Sequence, residues 1–153
     1  MRASDKNLFK ICAIYRSPCS NSSNDCELFQ LLSTLESSTV GRSILIGDFN
    51  FPNINWDSCT AAGSNTGTTQ SHKFLSSVQK NFLTQHVLFP TRIRGIQTPH
   101  ILDLVLTYEN VIDQINSLSP LGKSDHCILH VVCDLECSVI DSNTVKYNFN
   151  KFM

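Results

Sequence analysis

The apolar positions of this chain follow two periods, and the change from one to the other marks its elements. Residues 8–15, Leu-Phe-Lys-Ile-Cys-Ala-Ile-Tyr, are dense in β-favouring side chains and run into Arg16-Ser17-Pro18, which predicts a central strand closing at Tyr15. After a loop of Ser, Asn, Pro and Cys, Leu28, Leu31, Leu32 and Leu35 recur at helical spacing, so a helix is expected there, capped by Asn24 or Asp25. The next run, Ser43-Ile44-Leu45-Ile46-Gly47-Asp48-Phe49-Asn50, sets three aliphatic residues before a glycine, a carboxylate and an amide. Such a run reads as a buried strand. Strand, helix and strand form a βαβ-like unit, in which functional groups belong beyond the carboxyl ends of the strands. Tyr15, Asp48 and Asn50 all lie there.

Phe51-Pro52-Asn53-Ile54-Asn55-Trp56-Asp57 opens a long Gly, Ser and Thr-rich loop that reaches Thr69. Trp56 is either a staple for that loop or a platform for a stacked base. Phe74, Leu75, Val78 and Phe82 share one stripe, predicting a helix over 71–82. Residues 84–89 read as a short strand ending at Pro90, and 101–106 as an apolar strand containing Asp103. Residues 111–118 alternate apolar and polar positions, as a strand with one wet face does. The apolar strand 127–135 is entered from Ser124-Asp125-His126, and the tail at 143–149 adds a strand or a linker. With no internal repeat and no Pro-rich divider, the chain reads as one α/β domain.

Composition narrows the classes. The 153 residues carry 12 Lys and Arg against 13 Asp and Glu, a formal charge of -1, so no global basic field attracts nucleic acid and any phosphate binding must be local. Seven cysteines is an odd number, and the opening Met-Arg-Ala-Ser-Asp-Lys has no signal-peptide character. Reduced thiols in a nuclear or cytoplasmic, non-secreted setting follow. No apolar run approaches the roughly 18 residues a membrane span needs. Cys127, Cys133 and Cys137 with His126 and His130 invite a zinc site, but no Cys-x-x-Cys pair occurs and a strand would scatter these ligands over two faces.

Chemistry concentrates at a few polar positions. Asp48 and Asn50, two apart, either project to one side as site residues or close a polar Asx turn. Tyr15 either presents its hydroxyl to a site or anchors a sheet edge. Arg92 and Arg94 are a local positive cluster, for phosphate or for solvent. Asp103 in its apolar run is either paired or at an edge facing water, because an unpaired buried carboxylate is costly. Asp125 and His126 have the ingredients of an orienting pair, yet neighbours on an extended chain point to opposite faces, so each needs its own partner unless the backbone bends.

The order Tyr15-Arg16-Ser17-Pro18, Gly47-Asp48-Phe49-Asn50, Thr91-Arg92, Leu102-Asp103-Leu104 and Ser124-Asp125-His126 resembles the endonuclease/exonuclease/phosphatase superfamily. More narrowly it is similar to the apurinic-type endonuclease domain of non-LTR, LINE-type retrotransposons, with Gly-Asp-Phe-Asn-Phe-Pro and Ile-Leu-Asp-Leu-Val-Leu-Thr resembling jockey and chicken-repeat elements. The resemblance implies a two-sheet α/β sandwich with helices outside and a metal-dependent phosphodiesterase that nicks target DNA to prime reverse transcription. By resemblance, Asp48 orients or deprotonates the attacking water, Asn50 holds phosphate or water, and His126 stabilises the scissile phosphate. Asp103 supports the network, Asp125 lies near the divalent ion, Tyr15 meets the phosphate region, and Thr91, Arg92 and Arg94 are expected near DNA. Asp48 and Asp125 are then the expected carboxylates for Mg²⁺ or Mn²⁺.

One departure qualifies the match. In the family, an asparagine and a metal-binding glutamate precede the tyrosine motif, which here arrives by residue 15. The expectation is therefore a partial domain over 1–140, incomplete in its amino-terminal strands, followed at 141–153 by the start of a linker toward a reverse transcriptase. Weak metal binding and impaired catalysis are expected of it. The alternatives are an inactive remnant of such a domain and a superfamily phosphatase acting on a small phosphoester.

Overall fold

The computed structural model describes residues 9–37, 42–63 and 69–134. The first apolar run forms β1 (Phe9–Tyr15), closing at Tyr15, and the leucine-rich segment forms α1 (Ser22–Ser37). α1 is the crossover that lets β2 (Arg42–Asp48) lie parallel to β1, since parallel neighbours cannot be joined by a tight turn. The long loop contains only the two-residue strands β3 (Ile54–Asn55) and β4 (Thr60–Ala61), which pair with each other. There follow α2 (Gln70–Lys80), β5 (Thr84–Gln85), β6 (Asp103–Thr107), β7 (Ile112–Leu118) and β8 (Ile128–Cys133). One sheet runs β1-β2-β6-β5, and β7 pairs antiparallel with β8 in another.

The unalternated aliphatics of β2 are explained by what covers each face. Leu45, with Leu104 and Leu106 of β6, packs against Leu32 of α1 and Phe74, Leu75 and Val78 of α2. Ile44 and Ile46, with Val105, turn the other way onto Ile112 and Ile115 of β7 and Leu129, Val131 and Cys133 of β8. The sheet is thus the middle layer, helices on one face and the second sheet on the other, as the α/β sandwich expectation requires.

Phe74 is the hub of the helix-side core. It is fully buried, stacks on Phe51 at 4.4 Å, tilts against Phe29 and Phe49, and receives the edge of Trp56 at 6.4 Å. Trp56 therefore acts as the loop's staple. Gly47 has φ 143, and a Cβ there would lie 1.9 Å from the carbonyl oxygen of Ile14 on β1; only glycine lets the two strands approach.

The structure corrects several local expectations. α1 begins earlier than the leucine stripe suggests, with the Asn21 side chain accepting the Asn24 N–H at 2.9 Å; Asp25, expected as a cap, is buried and paired to Arg16. Leu31 is 39% exposed, so it lies off the stripe's buried centre. Phe82 is expelled, because α2 ends at Lys80 and the left-handed turn at Phe82 (φ 53) leaves its ring 80% exposed. The strand expected over 84–89 is formed only at Thr84 and Gln85, with one further backbone bond from His86 to Val105. β6 starts at Asp103, which makes that carboxylate a strand-end group instead of an interior one. Cys137, the end of the 127–135 strand and the tail at 143–149 lie outside the described residues.

Phe74→Ala should destabilise the fold by about 3–5 kcal/mol, read by urea unfolding, because four aromatic neighbours lose one partner. Gly47→Ala should separate β1 from β2, seen as lost amide protection along β1 while β7 and β8 stay protected.

Candidate active site

The β2–β6 register puts Asp48 opposite Asp103, so two carboxylates meet where β2 ends and β6 begins. Tyr15, in register with Asp48 on the β1 side, is 74% exposed beside them. Immediately after Asp48 the chain turns: fully buried Phe49 anchors it, and Asn50 takes φ 53, a left-handed conformation asparagine tolerates. The Asn50 N–H donates to Asp48 Oδ1 at 3.0 Å and its Nδ2 to Oδ2 at 3.2 Å. The Asx turn thus exists, and it is what fixes the direction of the Asp48 carboxylate.

His126 reaches the same place from the segment that leads into β8. Residues 125–127 lie extended beside 91–93, with Ile93 N–H donating to the Asp125 carbonyl at 2.9 Å and Cys127 N–H to the Thr91 carbonyl at 2.8 Å. Consecutive side chains on that extended stretch diverge, and each finds a separate partner. His126 Nδ1 lies 2.8 Å from Asp103 Oδ2, whereas Asp125 Oδ2 accepts Arg92 Nε–H at 2.9 Å. An ionised carboxylate only accepts, so Nδ1 carries the proton in that bond and Nε2 is left for another partner.

Thr91 is 1% exposed. Its hydroxyl oxygen accepts the N–H groups of Leu102 and Asp103 at 3.1 and 3.0 Å, which holds the start of β6 in position. Arg94 is exposed on the 93–99 loop. The Arg16–Asp25 pair behind the Asx turn has little signal in the sequence beyond a basic residue just past a strand and an acidic one in a helix's first turn.

Ligand atoms of Asp48, Asp103 and His126 all lie within 4.8 Å of one another. The two carboxylates are the donors in this group that suit a hard divalent cation, which takes one or two protein oxygens and fills its remaining positions with water or phosphate oxygen. The electrostatics are uneven. Burial raises the Asp48 carboxyl above its usual range and the Asp103 charge adds to that, while His126, the Asn50 N–H and Arg92 pull the other way without cancelling it. The Asp125 carboxyl is lowered, chiefly by the hydrogen bond from Arg92.

Residues 9–130 match the family model described as endonuclease-reverse transcriptase. Among solved structures, the endonuclease domain of TRAS1, a telomere-specific non-LTR retrotransposon, is similar at a TM-score of 0.53 and 16% identity, covering 75% of this chain and 51% of that one. A 3′ phosphatase, NExo from Neisseria, bound to a product DNA hairpin, is similar at 0.54 and 13% identity, covering 81% and 60%. These likenesses are of fold, and the chain spans only 51% and 60% of those two structures' lengths. No curated protein matches the sequence.

Carboxyl ¹³C titration should find Asp48 above and Asp125 below the ordinary aspartate range, near 3.9. Asp103→Asn should lower the Asp48 value only part of the way, since burial is the larger cause. The signs for stability are opposite. The raised Asp48 favours the fold below its unfolded pKa and loses that effect as pH rises through the folded value, and the lowered Asp125 loses its contribution as pH falls through its own.

Proposed function

Because the chain belongs to the endonuclease-reverse transcriptase family, we propose that it carries the water-activating and phosphate-stabilising groups of a metal-dependent DNA endonuclease, the activity by which a retrotransposon nicks its target to prime reverse transcription. The observation that supports this most is the meeting of Asp48, Asp103 and His126, from three distant segments, at one strand end. Phosphodiester hydrolysis needs an activated water and stabilisation of charge on the phosphate oxygens. Asp48, with its raised pKa, suits the proton acceptor from water. Asp103 fixes the orientation of the imidazole through Nδ1, which leaves Nε2 as the nitrogen to meet a phosphate oxygen. Asn50 holds the Asp48 carboxylate, and the exposed Tyr15, in register with Asp48, is the candidate to hydrogen-bond the phosphate.

Mg²⁺ or Mn²⁺, when bound, supplies charge neutralisation at the phosphate. The carboxylate oxygens grouped to hold it are those of Asp48 and Asp103, while that of Asp125 is engaged by Arg92. Arg92 and Arg94 stand on the 91–98 segment as candidates for the DNA backbone, and the partner expected beside this domain is a reverse transcriptase. A second reading, removal of a 3′ phosphate from DNA, draws support from the equal likeness to the Neisseria phosphatase.

The test is nicking of supercoiled plasmid with Mg²⁺, by this chain alone and by the chain extended with the amino-terminal segment of a related endonuclease domain. The extended form should nick, and Asp48→Ala or His126→Ala should reduce the rate by at least about 100-fold. Retained nicking in either variant contradicts the assignment, and release of phosphate from a 3′-phosphorylated oligonucleotide without nicking selects the second reading. In calorimetric Mg²⁺ titration, Asp48→Asn and Asp103→Asn should each weaken binding about tenfold or more; loss confined to Asp125→Asn places the ion on the Arg92 side instead.

A further inference from the structure

Arg16 has no part in the chemistry above, yet it grips both ends of the turn that aims Asp48. Its backbone N–H donates to the Asp48 carbonyl at 2.8 Å, one residue beyond the end of β1. Its side chain is only 10% exposed, and the guanidinium is divided among three partners. Nε and Nη2 donate to Oδ1 and Oδ2 of Asp25 at 2.8 and 3.0 Å, and Nη1 donates to the Asn50 carbonyl at 2.9 Å. The guanidinium carbon also lies 4.0 Å from the centroid of the Phe51 ring.

The far end of this grip is rigid. Asp25 is completely buried in the first turn of α1 and accepts Ser20 Oγ–H at 2.7 Å besides the Arg16 fork. Burial by itself would raise the Asp25 carboxyl, but the bonds from Arg16 and Ser20 and the Arg16 charge outweigh it and lower it. The near end is a left-handed turn at Asn50, φ 53, which asparagine tolerates and which the Arg16 bond to its carbonyl holds in place.

We propose that Arg16 is a positioning residue for the neighbouring cluster: from a pedestal on α1 it holds the Asn50 carbonyl and the Asp48 backbone, and so keeps the Asp48 carboxylate turned toward Asp103 and His126. This rests on the reading of that cluster as the hydrolytic site. A purely structural ion pair would stabilise α1 against the sheet and leave the Asp48 environment unchanged. Lysine cannot replace the fork, since one ammonium cannot serve a two-oxygen carboxylate, a carbonyl and a ring face together.

The experiment compares the 153-residue chain with Arg16→Lys and with the paired change Arg16→Met/Asp25→Asn, which leaves no buried charge alone. With β6 and β8 amides still protected, both variants should speed exchange at the Asn50 N–H, which closes on Asp48 Oδ1. Unchanged Asn50 exchange in a folded variant overturns the proposal. In the unaltered chain, the Arg16 Nε–H and the Asn50 N–H should exchange through one common opening; an Asn50 N–H that exchanges much faster than Arg16 overturns it without any variant. In the extended, nicking-competent domain, Arg16→Lys should lower kcat about 10- to 100-fold with KM unchanged. Unchanged kcat also overturns it. An extended domain that fails to nick refutes the hydrolytic reading alone, while the exchange results still decide whether Arg16 fixes the turn.

Discussion

Asp48 of β2 stands opposite Asp103 of β6, and the rest of the site depends on that register. Side chains alternate along a strand, so a slip of one residue would exchange the faces. Leu45 and Leu106 would leave the aromatic cluster under the helices, Ile44 and Val105 would leave the second sheet, and the two carboxylates would part. Burial on both faces penalises every alternative pairing, and Gly47 lets β1 close against the same strand. The two cores therefore fix the position of the polar end of the sheet.

Two carboxylates side by side oppose each other's ionisation. Asp103 is bonded to the His126 imidazole, and its backbone N–H is held by the Thr91 hydroxyl. Asp48 accepts two hydrogen bonds from Asn50 in a partly buried setting, and its carboxyl is raised, chiefly by burial and then by the Asp103 charge. Asp125, one residue from His126, is turned to Arg92 by the extended backbone, so residues adjacent in the sequence take different hydrogen-bond partners.

Much of this was readable from residue pattern alone. The ends of β1 and β2 follow from where the apolar runs stop, and the divergence of Asp125 from His126 follows from extended geometry. What local pattern could not carry was contact between remote segments. Nothing near Asp103 or His126 announces that they meet across 23 residues, and Asp25 looked like a cap because its partner, Arg16, lies nine residues back. Phe82 continued the helical stripe in sequence, but the turn after Lys80 removes it from the core. The 84–89 segment has strand-like composition, but its strand covers only Thr84 and Gln85, with His86 adding one more backbone bond to Val105 of β6.

Paramagnetic broadening of NMR signals by substoichiometric Mn²⁺ tests most directly whether the distant polar segments converge on one cation-binding point. Broadening should be strongest at Asp48, Asn50, Asp103 and His126, weaker at Asp125, and absent along the α1–α2 face. Signals lost around Asp125 and Arg92 alone, or scattered over the surface with no effect at Asp48 and His126, would contradict it.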